Sequence, residues 1–265
     1  MINVTCARLL ASLLVAGLVV GVAVSAPTAA QAAPSPVVPI VIVGQPTPIA
    51  GVNQGLPPLT PTQDYDAGLG LAGVITAYHD SGRYQSDQRA VAKAAQKFLR
   101  SWLRDECESP RRCDGRKPAA VFDIDDTLVD WYATYLSTGF VAVPSVMDNA
   151  AENCLTPAIV AVRKVLHDAQ RRGVSVFLIS GRPAPARAVT VACLNQLDIA
   201  NWDGLILRDP AQYTLTAEQY KSAARAGIER RGYTIITSVG DQLSDMTGGH
   251  VVQGFRLPNP MYYIA

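Results

Sequence analysis

Between residues 85 and 104, apolar side chains recur at Val91, Ala94, Ala95, Phe98, Leu99 and Leu103, with polar positions between them. That spacing predicts one helix with one buried face. A shorter mixed stretch at 69–79 predicts a helix before it. The run Ala119-Ala120-Val121-Phe122-Asp123-Ile124-Asp125 is apolar and then acidic, the pattern of a buried strand running into a site. Residues 128–155 carry Trp131, Tyr132, Tyr135 and Phe140 without a clear period. Thr156 followed by Pro157 predicts an N-cap and first helical position. The helix would run through Val160, Val162, Val165 and Leu166 and stop before Gly173. A strand at 174–179, a helix at 184–197, a strand at 204–207, a helix at 216–231 and a strand at 233–239 follow. Strands alternating with helices imply an α/β fold, a doubly wound parallel sheet with helices on both faces. No internal repeat is visible.

Charge divides the chain. Of 23 Lys+Arg and 22 Asp+Glu in 265 residues, only Arg8 falls in residues 1–63. Residues 64–265 therefore hold 22 acids and 22 bases and are neutral overall, which disfavours a nucleic-acid polymer or anionic membrane as partner. Arg8, an apolar run from Leu9 to Val24 and small residues up to Ala32 read as a signal peptide over 1–32. The apolar run has about 16 residues, short of the roughly 20 that span a bilayer. Cleavage with no lasting membrane span is therefore expected over anchoring. The Pro-rich stretch 33–63 reads as an extended tether. The expected product is secreted or cell-envelope associated, with one domain at 64–265.

Removal of a leader takes Cys6 away and leaves Cys107, Cys113, Cys154 and Cys193. Four cysteines in an oxidising compartment permit three pairings. Cys107 and Cys113 flank a short polar loop, so the expected pairs are Cys107–Cys113 and Cys154–Cys193. Metal binding is the rival reading, but there is no C-x-x-C spacing, and His79, His167 and His250 are distant from the cysteines in sequence.

In a doubly wound sheet, ligands bind beyond the carboxyl ends of the strands. The residues there are Asp123, Asp125 and Thr127, then Ser180, Gly181 and Arg182, then Asp241 and Asp245. Acids gathered at strand ends repel one another unless a cation joins them, and hard oxygen ligands favour Mg²⁺. Mg²⁺ in turn favours phosphate oxygens. In Asp123-Ile124-Asp125, one carboxylate could attack phosphorus and the other could exchange protons; the plainer reading is a capping loop. Ser180-Gly181-Arg182 could meet a phosphate but also suits any turn. Lys221 alone reads as a solvated helix position, and Asp241 could simply cap a helix.

Taken in order, these four motifs resemble those of the haloacid dehalogenase (HAD) superfamily. Tyr220-Lys221-Ser222 with Ala224-Arg225, Gly240-Asp241-Gln242, and the ending Leu257-Pro258-Asn259-Pro260-Met261-Tyr262-Tyr263-Ile264 further resemble subfamily IIIB, the secreted acid phosphatases related to plant vegetative storage proteins. The resemblance covers roughly 64–265. It implies a HAD-like Rossmannoid sheet with a small helical cap insertion at about 128–155. It implies Asp123 as nucleophile, Asp125 as acid/base with its backbone carbonyl on Mg²⁺, and Thr127, Ser180, Gly181, Arg182 and Lys221 around the phosphoryl group. Asp123, Asp125, Asp241 and Asp245 would form the metal set. Arg182 could equally pair with an acid at the helix start. Small phosphomonoesters are the implied substrates. A 5′-nucleotidase-like preference, or a secreted binding or storage protein without turnover, are the alternatives. Leu243 stands where many relatives carry an aromatic, and Trp131, Tyr132 and Tyr135 are candidates to stack on a leaving group or to fill the cap core.

Overall fold

The computed structural model describes residues 64–107 and 115–264. The expected leader at 1–32, the tether at 33–63 and Cys113 lie outside the described residues. No helix among the described residues is long and apolar enough to cross a membrane.

The sheet grows from one short apolar strand. β2 (Lys117–Phe122) is buried on both sides, and its residues alternate between two cores. Ala120 and Phe122 face one helical layer; Ala119 and Val121 face the other. β3 (Ser175–Pro183) does the same with Val176 and Leu178 against Phe177 and Ile179. Strands buried on both faces read as continuous apolar runs, which is why these two segments were legible. β4 (Gly204–Arg208), β5 (Tyr233–Gly240) and β6 (Gln253–Arg256) complete a five-stranded, all-parallel sheet in the order β4-β3-β2-β5-β6. The chain runs outward from β2 to β3 and β4, then returns to β5 on the other side of β2. The strand order therefore reverses between β2 and β5, and a crevice opens beyond their carboxyl ends.

Two long helices cover the larger core. α1 (Gly68–Asp80) leads into α2 (Arg83–Glu106) through Gly82, whose φ of 75° makes the sharp break between them. Val91, Ala95 and Leu99 of α2 pack beside Val162, Val165 and Leu166 of α5 (Val160–Arg171). α7 (Ala217–Arg230) covers the opposite face with Tyr220 and Ile228. Its start follows the sequence: Thr216 accepts from the Gln219 backbone, and the Gln219 side chain accepts from Thr216 N–H, a capping box. α6 (Arg187–Gln196) follows a single 3₁₀ turn at Ala184–Ala186.

Two expectations are corrected, and three strands are new. Thr156 does not cap α5; the helix begins four residues later, at Val160, because residues 157–159 pair with the segment that follows β2, through an Ala158–Val129 bridge and the Ile159 N–H to Leu128 O bond. Ser180-Gly181-Arg182 does not turn: β3 continues to Pro183 through a register shift against β4, with Ser180 paired to Leu207 and Pro183 to Arg208. Residues 181–182 are the extra residues, and such a bulge re-aims side chains at a strand end. Finally, β6 and the small antiparallel pair β1 (Tyr65–Asp66) with β7 (Tyr262–Tyr263) had no counterpart in the sequence pattern. They are too short to show a period.

The segment 128–155 holds two short helices, α3 (Tyr132–Ser137) and α4 (Pro144–Glu152). Cys154, just past α4, is bonded to Cys193 in α6, with Cα atoms 5.1 Å apart. That is one of the two expected pairs. Cys107 is also disulfide-bonded, and its expected partner lies outside the described residues.

Candidate active site

β2 and β5 end side by side, and each delivers acids into the crevice. The Asp123 N–H still donates to Val239 O, so Asp123 is held as an extension of the β2–β5 ladder. Asp241 follows β5 directly, and Asp245 closes a 3₁₀ turn at Leu243–Asp245. Carboxylate oxygens of Asp123, Asp241 and Asp245 lie within 4.8 Å of one another, all buried. One ammonium joins two of them: Lys221 Nζ, from α7, lies 3.0 Å from Asp123 Oδ1 and 2.5 Å from Asp245 Oδ1. Lys221 is only 6 % exposed, which rules out the solvated-face reading of that residue.

The charges in this cluster do not balance. Burial pushes the Asp123 carboxyl well above the usual carboxylate range, Lys221 pulls it back, and Asp245 and Asp241 raise it further. Burial, then Asp245, pushes Asp241 up to about 6. For Lys221, burial works against the charge, but Asp123 and Asp245 override it and hold the ammonium protonated. Three carboxylates facing one ammonium leave an excess of negative charge that a divalent cation fits. The donor set is all oxygen, which suits a hard cation. Around Asp241, Gln242 Nε2 donates at 2.5 Å and Asn259 Nδ2 at 2.7 Å, fixing which lone pairs stay free.

Asp125 has a different environment. Arg182 Nε reaches both carboxylate oxygens at 3.1 and 3.0 Å, and Nη2 reaches Oδ1 at 2.6 Å. Trp131 Nε1 donates to Oδ1 at 2.7 Å. Burial opposes ionisation here too, yet Arg182 outweighs it and holds the carboxyl below its ordinary value. So the two acids spaced i, i+2 at one strand end are pushed apart: Asp123 upward and Asp125 downward. Arg182 pairs with Asp125 and not with an acid at the helix start. Ser180 Oγ sits between, 3.4 Å from Asp125 Oδ2 and accepting from Arg182 N–H at 3.1 Å.

A cavity of about 180 Å³ opens onto these groups. Of the nine expected site residues, Asp123, Asp125, Gly181, Arg182, Lys221 and Asp241 line it. Thr127, Ser180 and Asp245 stand behind the lining. The Thr127 hydroxyl, fully buried, donates to Asp241 Oδ1 at 3.4 Å. The aromatic candidates of the cap face elsewhere: Tyr132 stacks on His79 at 3.6 Å, and Tyr135 packs on Tyr262 at 5.1 Å. Trp131 serves Asp125 through its ring N–H, and Tyr262 is the aromatic that lines the cavity. Leu243 does not line it.

Several contributors escaped the sequence pattern. Arg225, fully buried, has no carboxylate partner among the described residues and instead donates to the carbonyls of Ser244, Asp245, Thr247 and Gly249. It fixes the loop that carries Asp245. It lies within the Tyr220-Lys221-Ser222 … Ala224-Arg225 stretch, but nothing local marks a surface-spaced Arg as buried. Gly240 is a second case. A Cβ there would lie 2.1 Å from Asp245 Oδ2 and 2.3 Å from Asp245 Cβ, so the glycine is what lets Asp245 approach. Gly240→Ala is expected to displace Asp245 from Lys221 and lower the unfolding free energy by about 2–3 kcal/mol. Gly181→Ala, where nothing lies within 4 Å of the added atom, should change it by less than about 1 kcal/mol. Urea melts of the two variants check this; equal effects would remove the steric explanation.

The family model described as HAD superfamily, subfamily IIIB (acid phosphatase), matches residues 69–265. Acid phosphatase 1 of Solanum lycopersicum is 36% identical over 155 residues, which span 57% of this chain and 60% of that protein's length. The stem 28 kDa glycoprotein of Glycine max is 33% identical over 193 residues, spanning 71% of this chain and 72% of the glycoprotein. Among solved structures, the class C acid phosphatase of Bacillus anthracis superposes with a TM-score of 0.59 at 21% identity, covering 74% of this chain and 85% of that one, a likeness of fold.

Proposed function

The chain belongs to subfamily IIIB of the HAD superfamily, the acid phosphatases, and from that premise we propose that it is an exported, Mg²⁺-dependent phosphomonoesterase working through an aspartyl-phosphate. The observation that carries this reading is the Lys221 ammonium bridging Asp123 and Asp245 at the reversal of strand order, with Asp125 beside it under opposite electrostatic control.

Asp123 is the nucleophile. Lys221, at 3.0 Å, orients one carboxylate oxygen and leaves the other for attack. The attacking oxygen forms a bond to phosphorus as the ester P–O bond breaks, and the leaving oxygen takes a proton from Asp125. In the second half Asp125 accepts a proton from water, the water oxygen bonds to phosphorus, and the Asp123–phosphorus bond breaks to release inorganic phosphate. Arg182 links the two halves. Free of substrate it is spent on Asp125; an incoming phosphoryl group offers it a competing anion, and loosening that pair lets Asp125 carry the proton it must donate. Ser180 and Thr127 support these groups by hydrogen bonds to Asp125 and Asp241. Asp123, Asp241 and Asp245, with the Asp125 backbone carbonyl, would hold the divalent ion. When bound, it supplies positive charge against the phosphoryl oxygens and offsets the repulsion between two anions.

The Cys154–Cys193 bond supports export, because such bonds persist in oxidising compartments. A non-catalytic storage role is the alternative that the family leaves open. Against it stands the full set of Asp123, Asp125, Lys221, Asp241 and Asp245, drawn to one crevice. The test is hydrolysis of p-nitrophenyl phosphate between pH 4 and 8. Activity is expected with Mg²⁺ and should fall at least about a hundredfold in EDTA, returning on adding the metal back. A protein inactive under all these conditions would be a binding or storage protein.

A further inference from the structure

Among the described residues, Arg208 is the one cation lining the catalytic cavity that no acid claims. Arg182 is committed to Asp125 and Lys221 to Asp123 and Asp245. Arg208 closes β4, is half-buried, and has no carboxylate within ion-pair reach among the described residues. Its guanidinium is nonetheless fixed. Nε donates to Gln212 O at 3.3 Å, and Nη2 donates to the carbonyls of Gln212, Tyr213 and Leu215. The rings of Tyr213 and Tyr220 lie 5.7 and 5.9 Å from the guanidinium carbon. Nη1 has no partner among the described residues and is not a buried atom. A charged fork is thus held rigid along one edge with its remaining donors open.

The position of this fork relative to the reacting end follows from Tyr220. The single Tyr220 O–H lies 2.9 Å from Ser180 O and 3.2 Å from Ile206 O and is shared between them, so one side chain ties the phosphoryl end of the cavity to β4. Ala217, Tyr262 and Ile264 supply the less polar wall. The cavity, at about 180 Å³, is small. A phosphoryl group seated by Asp123 therefore places the leaving group in a small space whose wall carries an unpaired guanidinium.

Resting on the phosphatase reading, we propose that Arg208 is a specificity-determining residue that selects phosphomonoesters whose leaving group carries a second anionic group, a carboxylate or another phosphate, a few atoms from the ester oxygen. A guanidinium already desolvated on one edge and anchored to carbonyls loses little freedom when an anion arrives, and its planar fork matches a carboxylate or phosphate.

The matched pair 3-phosphoglycerate and glycerol 3-phosphate tests this, since a carboxylate in the first replaces a hydroxymethyl in the second. Wild type should show kcat/KM at least about tenfold higher for 3-phosphoglycerate. Arg208→Gln should bring the ratio of the two values close to one, mainly through KM for 3-phosphoglycerate, and Arg208→Lys should give an intermediate ratio. Because the readout is a ratio within each protein, general damage to the loop at 212–215 cancels. A wild-type ratio near or below one, or a ratio unchanged in Arg208→Gln, overturns the inference while leaving the phosphatase reading standing. Failure of wild type to turn over either ester removes the phosphatase reading and the inference with it.

Discussion

Asp123→Asn should lose phosphatase activity by on the order of 10⁴-fold or more, the loss typical of removing a covalent nucleophile. The substitution is close to isosteric, and an amide oxygen can still accept from Lys221 at 3.0 Å. What it cannot do is form the bond to phosphorus. The same substitution makes a second prediction that a merely structural Asp123 would not. Burial with Asp241 and Asp245 nearby disfavours the Asp123 charge, so a neutral amide relieves the metal-free cluster. The unfolding free energy in EDTA should therefore stay within about 1 kcal/mol of wild type or rise. Steady-state kinetics with p-nitrophenyl phosphate and urea melts in EDTA check the two halves. Activity retained in Asp123→Asn would refute the assigned nucleophile. A collapse of stability would refute the electrostatic account.

Lys221→Met should do the reverse to stability. The methionine fills much of the same space but carries no charge, so Asp123 and Asp245 lose the ammonium that bridges them and stay buried beside Asp241. Removing one partner of a buried ion pair costs about 3–5 kcal/mol. The protein should unfold at much lower urea in EDTA. Added Mg²⁺ should then stabilise Lys221→Met by more than it stabilises wild type, because the ion becomes the cluster's main cation. Activity should also fall about a hundredfold or more, since the nucleophile loses its orienting donor. Equal stability of Lys221→Met and wild type without metal would mean that the three carboxylates are not all ionised in the folded protein. A metal response no larger than wild type would count against the cluster as the binding site.

The parts of the fold legible in the sequence are those with a period or a cap. Val91, Ala95 and Leu99 mark α2 by helical spacing, the continuous apolar run at 119–122 marks a strand buried on both faces, and Thr216 with Gln219 marks the start of α7. Thr156-Pro157 carried an equally good capping signal and failed, because the bridge of Ala158 to Val129 competes for those residues and tertiary pairing won. The ribbon of β1 and β7 was invisible for a different reason. It joins Tyr65 to Tyr263 across nearly the whole domain, and two-residue strands leave no pattern.

The same division holds at the active site. The order of residue types along the chain determined the acids at the ends of the strands and their spacing, because strand ends, turns and acids are local features. Which way each carboxyl is pushed was not local. Asp123 and Asp125 sit two residues apart in one motif, yet one faces Asp241, Asp245 and Lys221, and the other faces Arg182 and Trp131. Neither the burial of Arg225 under the Asp245 loop nor the place of Arg208 in the cavity wall could be read locally, because an arginine held by backbone carbonyls looks in sequence like a surface one. By itself the sequence determined an α/β sheet and the cast of acids at its edge. Only the tertiary structure decided how those acids share one ammonium and which arginine is left over, because Coulomb energies and desolvation depend on distances between residues up to 122 positions apart, as from Asp123 to Asp245, and those distances exist only once β2 and β5 lie side by side.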